Sequence, residues 1–171
     1  MRNINNLPNK FSSKYLVALI ATLVLTAQAS TVQAVENEPL LDRGKFSIGT
    51  GISTNSIDGP ISDEIGFQFF GTYDLTMVNL MEGVNSSVDV GFMDYGFSNN
   101  STGLWSTYVV SGKFAKQFGW LGRLGFDFGD DSGVMFGVGA DYTINKKMDI
   151  RLEYVVRDEV DSLQFNFLYR L

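Results

Sequence analysis

Residues 163–171 read LQFNFLYRL, and the alternation in this stretch decides the fold class. Large apolar side chains stand at every second position, namely Leu163, Phe165, Phe167, Tyr169 and Leu171. The positions between them carry Gln164, Asn166, Leu168 and Arg170. A period of two is typical of a β-strand whose two faces meet different surroundings. We therefore predict a strand here with one apolar face and one mainly polar face.

The same alternation recurs in seven earlier segments. They lie at residues 45–53, 65–73, 88–97, 104–114, 120–128, 134–142 and 148–157. In the third of these, the apolar phase shifts between Phe92 and Met93, and we predict a β-bulge there. The even number of strands and their mostly short connections predict an all-β fold, an eight-stranded antiparallel up-and-down barrel. For the longer connection at 74–86 we predict an extended strand pair or a short interfacial helix.

The first 34 residues are organised as a secretory signal peptide. Basic residues come first, an apolar run of 11 residues follows at 15–25, and cleavage-site patterns follow at 27–29 (AQA) and 32–34 (VQA). A membrane-spanning helix would need about 20 apolar residues, so we predict cleavage, preferably after Ala34 and otherwise after Ala29. The predicted organisation has three consecutive parts: a cleaved signal peptide at 1–34, a short periplasmic lead-in at 35–44 and a barrel domain at 45–171.

The amino-acid composition argues against several classes of function. The 171 residues include 19 acidic and 13 basic residues, and neither cysteine nor histidine. Without cysteine the chain has no disulfide, thiolate nucleophile or thiolate metal ligand. Without histidine it lacks the commonest general base and the commonest transition-metal ligand. The excess of acidic residues disfavours a nucleic-acid partner. We expect a protein that is not an enzyme and that has no cofactor and no metal site.

The two faces of the strands decide what surrounds the barrel. A soluble lipocalin-like carrier would turn its apolar face inward, but the large apolar side chains here would overfill an eight-stranded interior. The opposite face is rich in glycine, which suits a crowded lumen. Aromatic residues near strand ends fit membrane-interface girdles, namely Tyr73, Trp105, Trp120, Tyr142 and Tyr169. We therefore predict a transmembrane barrel with its apolar face outside.

In this arrangement the second face of each strand lines the lumen. The charged residues predicted to point inward are Lys45, Asp89, Lys113, Arg123, Asp127, Asp141, Arg151, Glu153, Arg157 and Arg170. Two interpretations remain open. The charges gate or plug a narrow pore, or they satisfy one another inside a closed scaffold, which we favour because small-barrel interiors are normally filled.

Three motifs resemble a known family. They are GRLGFDFGDD at 122–131, MDIRLEY at 148–154 and FNFLYRL at 165–171. With the eight predicted strands, the chain resembles the small outer-membrane β-barrels of the OmpA-like transmembrane and opacity-protein kind. The resemblance implies the outer membrane of a Gram-negative bacterium, with outer-membrane lipid and lipopolysaccharide as surroundings. It also implies a C-terminal signal read by the barrel-assembly machinery, formed by Phe165, Phe167, Tyr169 and Leu171.

Acidic residues gather in the connections opposite the chain ends. They are Asp58, Asp63, Glu64, Asp130, Asp131, Asp158, Glu159 and Asp161. Carboxylates suit hard divalent cations, which could bridge the rim to lipopolysaccharide phosphates. We favour the simpler interpretation that these are solvated acidic loops.

The predicted function is structural or surface-interactive, in envelope integrity or in adhesion through the loops. A narrow, low-conductance channel is the alternative, and a soluble periplasmic carrier is the third possibility. We expect a monomer in the outer membrane.

Overall fold

The computed structural model describes residues 42–57, 63–75, 81–98 and 102–171, which form a barrel preceded by a 3-10 turn at Arg43–Lys45. The predicted signal peptide and nearly all of the lead-in lie outside these residues. The strands are β1 (Phe46–Ile57), β2 (Glu64–Asp74), β3 (Val84–Asp94), β4 (Thr102–Lys113), β5 (Phe118–Asp127), β6 (Gly133–Asn145), β7 (Met148–Val156) and β8 (Val160–Arg170).

Each strand pairs antiparallel with the next, and β8 pairs with β1, so the sheet closes. The register is continuous around the closure; Gly51 of β1, for example, faces Gln68 of β2 on one side and Asn166 of β8 on the other. Closure leaves no strand edge unpaired. The predicted fold, an eight-stranded antiparallel up-and-down transmembrane β-barrel, is confirmed. In the described part of the chain, no helix has the length and apolarity needed to cross a membrane.

The barrel has two different ends. The end where β1 begins and β8 finishes also carries the connections at 75–83, 114–117 and 146–147; we call it the terminal end. The other end carries the connections at 58–63, 95–101, 128–132 and 157–159; we call it the loop end. The 146–147 connection is a tight turn in which Asn145 accepts a hydrogen bond from the Lys147 amide at 2.8 Å.

The outer surface is apolar and the interior is mainly polar. In β8, Leu163 and Phe165 are about half exposed, whereas Gln164 and Asn166 are fully buried. The same alternation places exposed Ile, Leu, Val, Phe and Trp side chains on all eight strands. This is the inverse of a soluble ligand-binding barrel, whose apolar face lines the cavity.

Glycines on the inner face make room for bulky neighbours. A Cβ at Gly91 would lie 2.5 Å from the ring of Trp105, and a Cβ at Gly49 would overlap the ring of Phe70. These two large rings pack against each other, with centroids 5.7 Å apart. The interior of a barrel of this size is only wide enough for side chains to fill, so glycine on one strand accommodates an aromatic residue on the next.

The predicted bulge in β3 is wrong. The pairing of β3 with β2 and β4 is unbroken through Met93. The shift in apolar phase arises because Met93, Tyr95 and Phe97 turn large side chains inward, where they are almost completely buried. The register irregularity lies in β6, between Thr143 and Asn145.

Trp105 was predicted to be part of an interface girdle, and this is also wrong. Its side chain is fully buried inside the barrel, because strand alternation places it on the inner face beside the outward Leu104. Proximity to a strand end fits a girdle, but alternation determines the face. Trp120, by contrast, is exposed on the outer surface.

The longer connection at 74–86 is partly an extended strand pair. The Leu75 amide donates a hydrogen bond to the Ser86 carbonyl at 2.8 Å, and Asp74 faces Ser87 across β2 and β3. The predicted interfacial helix would fall on residues 76–80, which lie outside the described residues.

Candidate functional site

A buried cluster of charges occupies the middle of the lumen, supplied by β3, β5 and β7. Arg123 Nη2 lies 2.6 Å from Glu153 Oε2 and 3.4 Å from Asp89 Oδ2. Arg151 Nη1 lies 3.1 Å from the same Asp89 oxygen. The side chains of Asp89 and Glu153 are fully buried, and that of Arg123 is 1% exposed. Two arginines therefore neutralise two buried carboxylates; Arg123 is buried with them, whereas Arg151 is 13% exposed.

A second buried group lies nearer the loop end. Arg157 Nε is 3.3 Å from Asp127 Oδ2, and the Tyr95 hydroxyl donates a short hydrogen bond to the same oxygen. The Arg157 guanidinium also lies over the Tyr95 ring, 5.3 Å from its centroid, in cation–π geometry. This arginine further donates to Ser162 Oγ at 2.8 Å. The group joins β5 and β8 to the segment that follows β3.

Uncharged polar residues connect with these charges, and the sequence reasoning missed them. Gln68 Nε2 donates to Gln164 Oε1 at 2.9 Å and to Asn166 Oδ1 at 2.6 Å. Asn166 Nδ2 in turn donates to Glu153 Oε1 at 2.9 Å. The signal was present, because each of these residues alternates with outward apolar neighbours in its strand. The interior residues predicted from the sequence are all charged, so these amides are not among them.

Apolar side chains fill much of the lumen, and most of them lie towards the loop end. Met93, Tyr95, Trp105, Met135 and Val155 all have an exposed fraction of zero. They form one buried cluster, whose other members are Phe70, Phe97, Val160 and Leu168. The Arg123 guanidinium lies 5.3 Å from the Trp105 ring centroid, so the charged cluster and the apolar cluster are in contact. We call the apolar cluster the plug.

The remaining predicted interior charges lie near the terminal end. Lys113 forms a close ion pair with Asp141 and donates to Thr143 Oγ1 at 2.8 Å. Arg170 is 3.9 Å from Asp149, and its side chain is 47% exposed. Lys45 lies in the 3-10 turn before β1, half-buried, and takes no part in an ion pair with the described residues.

A polar cavity of about 460 Å³ opens at the terminal end. Serine, asparagine and charged side chains line it, and it reaches inward to Leu121 and Arg151. Arg151 belongs to the central charge cluster, so the cavity ends where the filled part of the lumen begins.

The acidic residues of the loop end are in several different environments. Asp131 is buried and accepts hydrogen bonds from the amides of Glu159 and Val160 at 2.9 and 3.0 Å, which ties two loops together. Burial raises the pKa of Asp131 above its ordinary value of 3.8, while the two amide hydrogen bonds oppose the shift. Asp130 accepts from the Thr102 amide at 3.0 Å.

The other acidic residues of the loop end are exposed or accept a single hydrogen bond. Tyr154 donates its hydroxyl to Asp161 at 2.7 Å, whereas Asp63, Glu64, Asp158 and Glu159 are exposed. Asp58 lies outside the described residues. Within the described ranges, no group of three or more acidic side chains is placed to hold a metal ion.

The residues of the predicted C-terminal assembly signal share the outer face of β8 and the position after it. Phe165 and Leu171 are about half exposed, and Phe167 and Tyr169 are partly exposed. The Lys147 ammonium lies over the Tyr169 ring, 5.5 Å from its centroid.

Comparison with known proteins supports the fold. No family model matches this chain, and no curated protein matches it. A de novo designed transmembrane β-barrel aligns with a TM-score of 0.55 and 16% identity, over 80% of this chain and 100% of the designed chain. The solution structure of the designed protein TMB2.3 aligns with a TM-score of 0.50 and 15% identity, over 80% of this chain and 98% of its own.

A natural surface protein is more distantly similar. Neisserial surface protein A (NspA) aligns with a TM-score of 0.49 and 13% identity, over 74% of this chain and 97% of its own. At such identities a structural likeness concerns the fold alone.

Proposed function

We propose that this protein is a monomeric, non-enzymatic outer-membrane barrel of a Gram-negative bacterium with a structural or surface-interaction role in the cell envelope. One observation carries the proposal: an outer surface with exposed apolar side chains on all eight strands encloses a lumen occupied by paired charges and by the plug. Such a barrel spans a membrane and holds its loops at the membrane surface.

The outer surface supports a bilayer location. Exposed apolar side chains occupy every strand, and a soluble protein would seldom leave so large a contiguous patch in water. In a bilayer the same surface faces hydrocarbon, and closure of the sheet pairs each strand with a neighbour on both sides. Export through a signal peptide and recognition of Phe165, Phe167, Tyr169 and Leu171 by the assembly machinery belong to the same proposal.

The lumen favours a scaffold over the two alternative functions. A channel needs a continuous water path, whereas the plug fills the lumen beyond the cavity at the terminal end. A lipocalin-like carrier needs an apolar interior, whereas buried ion pairs occupy this one. The lack of histidine in the sequence supports a non-enzymatic role, because acyl-transfer and hydrolytic sites commonly use it as their base.

The test asks in which membrane fraction the protein is found, and how much a charge added to the outer face changes the free energy of unfolding. We expect the protein in the outer-membrane fraction, with a gel mobility in detergent that changes only on boiling. Val138 lies at the middle of β6 and is 65% exposed. In phospholipid vesicles, Val138→Lys should lower the free energy of unfolding in urea by about 2–4 kcal/mol, as charge on a lipid face does.

The matched control is Val138→Leu, which keeps the outer face apolar and should leave unfolding nearly unchanged. On a water-exposed surface Val138→Lys would have almost no effect. Recovery of a soluble protein without a heat-dependent mobility change, together with a neutral Val138→Lys, would overturn the proposal.

A further inference from the structure

An apolar depression lies on the outer surface of the described barrel, and we call it the glycine trough. It has a volume of about 680 Å³ and crosses from β8 over β1, β2 and β3 to β4. Its floor includes the backbone of Gly71, and its lining is almost entirely apolar. A Cβ placed on Gly71 would meet no atom within 4 Å, so the space above this residue is open.

The register explains the trough. The cross-strand row through its floor runs from Tyr169 to Ile48, Gly71 and Val90. The next row towards the loop end contains Phe69 and Phe92, which are large and exposed. A residue without a side chain thus lies beside large aromatic rings, which leaves a hollow above Gly71.

A cation marks the end of the trough nearest the chain termini. Tyr169 lines the trough there, and Lys147 lies in the turn between β7 and β8 with its ammonium over the Tyr169 ring. Lysine near a membrane interface commonly rests its methylene stem on apolar surface and directs its charge to the headgroup layer. The trough therefore ends beside a positive charge.

We propose that the glycine trough binds one glycerophospholipid of the periplasmic leaflet, with an acyl chain lying along Gly71 and the phosphate at Lys147. This inference rests on the proposed function, which makes the outer face lipid-facing and the terminal end periplasmic. A concave apolar surface contacts more of a chain than a convex one does, and each contact adds dispersion energy. The Lys147 ammonium at the end of the trough matches a phosphate at the end of a hydrocarbon chain.

The first test fills the trough. Native mass spectrometry would count phosphatidylglycerol molecules retained by the protein after transfer from vesicles to a mild detergent. We expect one retained lipid for the wild type and about a tenfold lower retention for Gly71→Leu. The matched control is Gly122→Leu on β5, an outward glycine where an added Cβ would meet only ordinary contacts, the nearest at 3.7 Å.

The second test removes the cation. Lys147→Gln should weaken retention of phosphatidylglycerol about fivefold. Its matched control is Lys146→Gln in the same turn. Monogalactosyldiacylglycerol has two acyl chains but no phosphate, so its retention should not respond to Lys147→Gln.

The outcomes separate this inference from the proposed function. If wild type and Gly71→Leu both fold in vesicles, by the heat-dependent mobility change, and retain equal phosphatidylglycerol, the trough inference is wrong and the proposed function stands. Preferential retention of lipopolysaccharide over phosphatidylglycerol would overturn the assignment to the periplasmic leaflet. If the protein does not enter membranes at all, the proposed function fails first.

Discussion

Arg123 shows how a single residue connects the lumen. Its guanidinium contacts carboxylates from two other strands, Asp89 and Glu153, and lies against the ring of Trp105. A buried charge is costly unless it is paired, and each of these three charges depends on another of them. Removing the arginine therefore leaves a buried carboxylate unpaired as well as a cavity.

Arg123→Ala should lower the free energy of unfolding by about 3–5 kcal/mol, because it leaves Glu153 without its arginine partner in the lumen. Urea unfolding in phospholipid vesicles measures the loss. Lys113→Ala is the matched control: its side chain is 44% exposed, and such a pair contributes about 0–1 kcal/mol.

A double substitution that keeps the net charge unchanged distinguishes the cost of an unpaired buried charge from the cost of lost packing. Arg123→Met combined with Glu153→Gln removes both partners while preserving most of the volume, and should recover a large part of the loss. If Arg123→Ala costs no more than Lys113→Ala, the buried cluster does not stabilise the barrel.

At the scale of the strand, an inner glycine on β1 leaves room for side chains of the two neighbouring strands to meet. Gly51 faces Gln68 on β2 and Asn166 on β8, and these two side chains hydrogen-bond to each other directly over it at 2.6 Å. An added Cβ at Gly51 would overlap the Asn166 amide and lie 2.8 Å from the Phe165 carbonyl oxygen. The amide network thus requires glycine at this position.

Gly51→Val should destabilise the barrel by about 1–3 kcal/mol, although valine is the better strand residue, because overpacking a filled interior forces side chains aside. The measurement is unfolding in vesicles. Gly122→Val on the outer face of β5 is the control, and there the higher strand propensity of valine should make the change neutral or favourable. Equal effects at the two positions would contradict the filled interior.

At the scale of the whole molecule, closure converts eight two-faced strands into one filled cylinder. The plug occupies the lumen towards the loop end, while the cavity of about 460 Å³ remains open at the other. Conduction would need the plug to be removed, since the interior of an eight-stranded barrel barely exceeds the volume of its side chains.

The wild-type protein should produce no conductance steps in planar bilayers. Trp105→Ala combined with Met93→Ala should produce small steps, because it removes two fully buried side chains and lets water enter beyond the cavity. Trp120→Ala, an equal truncation on the outer face, is the control and should remain silent. Truncating a core tryptophan to alanine lowers the free energy of unfolding by about 3–5 kcal/mol. Each variant must therefore first show the heat-dependent mobility change that marks a folded barrel. Steps from the wild type would favour the channel instead.

Much of the fold was predictable, since a strand displays its two faces in local sequence. The errors concern residues whose chemistry and position disagree. Trp105 is of a residue type common in interface girdles, but it lies on the inner face. Met93 is a large apolar residue on a mostly polar face. Alternation places the interior charges and the amides Gln68, Gln164 and Asn166 on the inner face. The hydrogen bonds that these amides form depend on which strands meet.

The sequence by itself determined the strands, their faces and the apolar exterior, because side-chain direction alternates along a single chain whatever its neighbours are. Only the tertiary structure decided which charges pair. Asp89, Arg123 and Glu153 lie on three different strands, and their meeting depends on strand stagger and barrel diameter. Those quantities belong to the closed sheet as a whole. The glycine trough has the same origin, because a hollow beside Gly71 exists only where neighbouring strands bring aromatic rows alongside it.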